Sequence, residues 1–189
     1  MTTYYYTLSS LPMLQVSRLG EAPVISLDDF RNCCDLLTAP DRQELELFLA
    51  GDWAAGTSDF ARRWTQIDTQ IRDAAARLRA SRLNVDPTPY LKPFSGYDVS
   101  TEREIAEAFN KPHALERELA LDRCRWRLLD ELSLNDPFGL PMALSYAVKL
   151  TMMSHWAELS DEKGQENVEQ FIVDNLEREG SMKTVMAAL

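Results

Sequence analysis

At 189 residues, with 45% apolar and 26% charged side chains, the chain has the makeup of a globular protein and not of a disordered one. Its net charge of −10 argues against nucleic acid as a partner and against direct binding or insertion into an anionic lipid surface, since both need basic surface. Only seven glycines argue against an all-β fold built on tight turns.

Helix signals dominate along the chain. The opening MTTYYYTLSS has neither a basic n-region nor an apolar h-region, so no secretory signal is expected. Within it, TYYYTL suits a short strand, a helix or extended coil equally. Ser26 stands as an N-cap before LDDFRNCCDLL, with Asp28 and Asp29 in the first turn, where carboxylates meet the positive end of the helix dipole. Pro40 suits the first position of PDRQELELFLAGDW, and Gly51 or Gly56 would end that helix. Ser58 then caps a long helix running to about Leu83. In it Phe60, Trp64, Ile67, Ile71, Ala74 and Leu78 recur at heptad-like spacing, which predicts lengthwise packing on another helix. Asp68–Arg72 and Asp73–Arg77 are i,i+4 pairs, expected on its solvated sides.

NVDPTPYLKPFSGYDVS breaks the pattern, because Pro87, Pro89, Pro93 and Gly96 forbid a continuous helix. The organisation expected is one helical domain over 1–189, with the alternative of two lobes, 1–84 and 100–189, joined by the Pro-rich segment 85–99. Tyr90, Phe94 and Tyr97 in that segment are expected to cover the protein's own core, with a docking loop as the alternative. Thr101 and Glu104 form a capping box ahead of EIAEAF. Pro112 opens a second long helix through about Ser133, with Leu115, Leu119, Trp126 and Leu129 on one seam and Leu121, Cys124, Leu128 and Leu132 beside it. Asp122 and Arg125 pair at the edge of that seam, while Arg123 and Arg127 lie on the open side, Arg127 within reach of Glu131. Asp136 and Pro141 introduce MALSYAVKLTMMSHWAEL, apolar on more than one face and therefore central. Its apolar run of about 14 residues carries Lys149 and falls short of the roughly 18 that a membrane span needs. Asp161 begins a last helix with Val168, Phe171, Ile172 and Leu176 on its buried side. The fold class is thus all-α, an irregular bundle of about six to eight helices with a Pro-rich mid-chain loop.

Catalytic chemistry finds little to work with. His113 and His155 have no second ligand at i+3 or i+4, and there is no Gly-rich phosphate loop, Walker-type lysine or G-x-S-x-G. Cys33, Cys34 and Cys124 lack CxxC spacing, which points to reduced thiols without structural zinc. A small enzyme using Cys33 or Cys34 stays a minor alternative; the expectation is a non-enzyme with no catalytic, cofactor or metal site. An echo links RWTQID at 63–68 to RWRLLD at 125–130, each inside a long helix. Charge is also uneven: residues 58–82 hold six arginines against three acids, and 158–179 hold eight acids against two basic residues. Such polarity suits oriented docking to other proteins, and equally internal helix pairing or plain solubility.

Several pieces, in order, resemble a known family. They are YYYTLSSLPML, ERELALDRCRWRLLDEL, Phe138, LSYAVKLTMMSHWAEL, and Gly164 and Glu166 ahead of FIVDNL. Together they resemble a bacterial family of uncharacterised proteins encoded alongside V/A-type ATPase subunits. The last half is similar, more remotely, to the helical C subunit (d in eukaryotes) of that rotary ATPase. The resemblance implies a non-catalytic subunit or assembly factor, a C-subunit-like socket between the central shaft and the membrane rotor ring. The implied partners are the central-stalk and membrane-rotor subunits, and the implied location is cytoplasmic, peripheral on the inner face of the membrane through the ATPase. The contact positions it suggests are Tyr4, Tyr5, Tyr6, Arg125, Tyr146, Lys149 and Trp156, since aromatics and arginine are the usual interface anchors. The alternative is a helical cytoplasmic chaperone for another enzyme complex, a class also acidic and near this length.

Overall fold

Ser26 and Ser58 start their helices as the sequence predicts. In the computed structural model, which describes residues 3–159, Gly164 and residues 170–172, Ser26 Oγ accepts from the Asp29 amide and Ser58 Oγ from the Ala61 amide, each at 3.0 Å. Among the described residues there is no strand; Gly164 and residues 170–172 are helical, and before them lie seven α-helices. They are α1 (Tyr5–Ser10), α2 (Leu27–Cys33), α3 (Ala39–Leu49), α4 (Asp59–Leu83), α5 (Val99–Phe109), α6 (Ala114–Ser133) and α7 (Leu140–Glu158), so the protein is an all-α bundle. No helix among these residues is long and apolar enough to cross a membrane.

α4 packs against α5 and α6, and in its heptad-like seam Phe60, Trp64, Ile71 and Ala74 are buried and Ile67 and Leu78 half-buried, with Phe60 against Phe48 of α3 and Trp64 against Trp53. Its start is secured twice: besides Ser58, the buried carboxylate of Glu44 on α3 accepts from the Ser58 amide at 3.1 Å. Negative charge at that end suits the helix dipole. Gly56 lets the chain pass close by, since a Cβ there would fall 2.6 Å from that of Ala61. At the other end Asn84 turns left-handed, with φ +54, and the Val85 amide reaches back to the Ala80 carbonyl at 3.0 Å.

α7 packs against both α3 and α6 and is buried on several faces, as its apolar makeup predicts. One apolar cluster gathers Phe30, Phe48, Trp64, Ile71, Ile105, Leu129, Leu144 and Leu150 from both sides of the Pro-rich segment. Truncating a fully buried leucine such as Leu129 to alanine would cost roughly 2–5 kcal/mol.

Several local expectations are corrected. The α5 cap is Asp98, not Thr101: Asp98 accepts from the Ser100 and Thr101 amides, and Thr101 is buried within the first turn. Asp68 and Asp73 are not solvated. Both are buried, and Asp73 accepts from the Lys92 amide at 3.1 Å while Arg77 pairs with Glu102. Gln66 and Gln70 do likewise for Ser95 and Asp98, so one polar stripe of α4 holds the segment 92–98 by its backbone. Held in that way, the segment turns Tyr90 and Tyr97 outward, and only Phe94 is half-buried. Leu115, at the start of α6, is exposed. Phe171 and Ile172 are helical and exposed, against the expectation of burial; Val168 and Leu176 lie outside the described residues.

Candidate functional site

Tyr146 and Lys149 lie one turn apart on α7, and Trp126 and Asp130 one turn apart on α6. With the segment 8–17 and Phe138 they line an open, largely apolar groove of about 630 Å³. The Lys149 side chain is only 8% exposed, and its Nζ donates to Asp130 Oδ1 at 2.6 Å and lies 5.4 Å from the Trp126 ring centroid. Burying an ammonium is tolerable here because a carboxylate and an aromatic face replace its water. Tyr146 stacks on Phe30 at 5.0 Å between centroids and donates to the Pro12 carbonyl at 2.9 Å. Burial, aided by the neighbouring Cys33 and Cys34, pushes its phenol above the ordinary tyrosine range, which keeps it a donor at neutral pH. Through that bond α7 holds the N-terminal strap along the groove.

The three tyrosines at the start separate. Tyr4 is buried; its amide donates to the Phe138 carbonyl at 2.6 Å and its hydroxyl to the Asp41 carboxylate. Tyr5 rests on Phe138 with ring centroids 4.7 Å apart yet stays 63% exposed, and Tyr6 is 77% exposed. Tyr4 precedes α1 in a non-helical conformation, and Tyr5 and Tyr6 within it point about 100° apart, so the three do not share one face.

Arg125 and Trp156 belong to a different feature. Trp156 Nε1 donates to Asp122 Oδ2 at 2.7 Å, and Arg125 Nη1 donates to Asp122 Oδ1 at the same distance. Arg125 Nε lies 3.6 Å from Asp68 Oδ1, and Arg72 Nε is 2.6 Å from Asp68 Oδ2. This alternating chain of charges ties α4, α6 and α7 together and floors a cleft of about 320 Å³ walled by Phe48, Trp53, Trp64 and His155. Each carboxylate in it is held by cations or an indole N–H, an arrangement suited to fixing helix register. Asp130 and Trp126 were not among the expected contact residues, nor was Asp68. The signal available for Asp68 was the echo itself: the aspartate ending RWTQID pairs with the arginine opening RWRLLD.

The remaining reactive types are subdued. Burial, with Cys33 and Asp35 adding to it, pushes the Cys34 thiol up to about 12, and burial with Glu104 beside it does the same for Cys124. Both thiols therefore stay protonated at neutral pH. Cys33 is half-buried. No group of His, Cys, Asp and Glu side chains among the described residues is arranged to hold a metal ion.

Residues 96–180, less than half of the chain, match the model of a family described as proteins of unknown function (DUF2764). That stretch takes in α5, α6 and α7 and so one wall of each feature above. No curated protein and no solved structure matches the chain.

Proposed function

We propose that the protein is a non-catalytic subunit or assembly factor of a V/A-type rotary ATPase, a helical socket that binds central-stalk or membrane-rotor subunits. One observation carries this reading. The pieces that bear the family resemblance, far apart in sequence, meet in space: segment 8–14 of the tyrosine-rich opening, then Trp126, Phe138, Tyr146 and Lys149, line a single groove. Met13, 82% exposed, and Tyr5 beside Phe138 give that groove an uncovered apolar rim, as a docking site for another subunit needs.

Purification of a tagged copy from native membranes tests it. ATPase subunits should copurify with the wild type and be lost from a Tyr5→Ser, Met13→Asp double variant that melts at the wild-type temperature. Absence of ATPase subunits at every salt strength overturns the reading. Recovery of another enzyme complex in their place selects the chaperone alternative.

A further inference from the structure

A second surface lies away from both the groove and the charge chain. The end of α4, the end of α5 and the start of α6 converge on Phe109, which is buried. The guanidinium carbons of Arg79 and Arg82 lie 5.7 and 5.3 Å from its ring centroid. Arg82 Nη2 also donates to the Phe109 carbonyl. Arg117 donates from Nε to the Lys111 carbonyl at 2.8 Å and from Nη2 to that of Pro112 at 3.0 Å. With Leu83, Ala114 and Glu118 these three arginines line a hollow of about 320 Å³.

The charges there do not cancel. Glu118 neutralises Arg79 at 3.1 Å, but Arg82 and Arg117 form no ion pair among the described residues. Their partners are carbonyls, which hold each guanidinium in place without removing its charge. Positioned cations of this kind bind a carboxylate with little further loss of side-chain freedom. Three arginines against one glutamate line this hollow, in a chain of net charge −10. Leu83, which lines the hollow, is 72% exposed, and Leu115, next in sequence to the lining Ala114, is 61% exposed.

We propose that this corner is a docking surface for an acidic, amphipathic segment of a partner protein, whose carboxylates meet Arg82 and Arg117 and whose apolar side chains cover Leu83 and Leu115. The inference is independent of which complex the protein joins. A duplex or a bilayer presents an extended array of negative charge, and beyond these arginines it would meet the acidic field of the molecule. A short acidic segment meets only the local cations. Free phosphate could use the guanidiniums but would leave the leucines in water.

The full chain should bind a fluorescein-labelled synthetic peptide of about 18 residues, with Leu at i, i+3, i+4 and i+7 and Glu at most other positions. Binding measured by anisotropy should saturate at about 50 mM salt and weaken strongly by about 500 mM. Arg117→Glu should weaken it at least roughly tenfold, and Leu83→Ser about threefold. Arg82→Glu should act as Arg117→Glu does, but Arg82 also holds the end of α5, so circular dichroism must show that variant folded. Leu83 touches the fold so little that its variant keeps the test sound. A peptide of the same composition with its leucines scattered, and polyglutamate, should bind several-fold more weakly. No saturable binding, equal binding of the scattered peptide, or unchanged affinity in both Arg117→Glu and Leu83→Ser overturns the proposal. So does tighter binding of duplex DNA or anionic vesicles, or a dimer of this chain that Leu83→Ser abolishes.

Discussion

On one face of α6, Arg125 lies between Asp68 and Asp122, and the buried partner is the carboxylate of Asp68, its side chain 5% exposed against 22% for Arg125. On another face Asp130 meets Lys149, and there the ammonium is buried, at 8% against 59% for Asp130. Both set a cation against a carboxylate, at 3.6 Å for Arg125 and Asp68 and 2.6 Å for Lys149 and Asp130, yet they differ in which charge would be stranded if the pair were broken. An ion left behind in a desolvated site is costly, whereas one left behind in water is not. The direction of a substitution should therefore matter more than the pair it removes.

The largest effect is expected at the Asp68 site. Arg125→Ala removes the cation that both Asp68 and Asp122 share and should lower stability by about 3 kcal/mol in urea unfolding. Arg125→Met, which keeps most of the volume, should recover only part of that loss. A loss below about 1 kcal/mol for Arg125→Ala would mean that Arg72 and Trp156 alone satisfy the two carboxylates.

The second pair offers the sharper comparison. Asp130→Ala strands the buried Lys149 and should cost about 2 kcal/mol, while Lys149→Met leaves Asp130 in solvent and should cost under about 1 kcal/mol. Equal losses from the two variants would break the asymmetry. Addition of salt should do little to the Asp130→Ala loss, because the charge it leaves unpaired is buried.

A smaller effect is expected where a carboxylate is held by hydrogen bonds alone. Ser100, then Thr101, donate to Asp98 and hold its carboxyl well below the usual carboxylate range. Asp98→Ala should cost about 1 kcal/mol at neutral pH. Because the folded-state value is depressed, that stability is fully present above the unfolded carboxylate value near 4, by the usual reference, and fades as pH falls below it. The gap between wild type and variant in unfolding free energy should be the same at about pH 7 and pH 5 and shrink at about pH 3. A gap unchanged down to about pH 3 would assign the loss to packing instead.

The smallest effect concerns reactivity and not stability. Iodoacetamide should label Cys33 ahead of Cys34 and Cys124, whose thiols are buried and stay protonated. Mass spectrometry of the folded protein should therefore find one modified site at early times. Fast labelling of Cys34 would contradict the burial that also raises Tyr146 next to it.

Much of the helical framework could be read from spacing and caps. The Phe60–Leu78 seam, the Ser26 and Ser58 caps, the two-sided burial of the RCRWRLLDEL helix and the central place of α7 all follow from patterns within one helix. The features that build the groove could not be read in that way. Tyr146 and Pro12 are joined across most of the chain, and Lys149 finds Asp130 only because α6 and α7 pack side by side. Asp73 shows the limit well. Its i,i+4 spacing to Arg77 signals a surface pair, but a backbone amide from the Pro-rich segment outcompetes the arginine.

What the sequence by itself determined was the local physics: an all-α chain, the positions of its helices, and which of their faces are apolar. Those depend on neighbours three or four residues apart, which the sequence lists directly. Tertiary structure alone decided which charges are buried, which tyrosine turns inward, and where motifs from opposite ends meet in a groove. These depend on desolvation and on contacts between helices, and neither is set until the helices have packed.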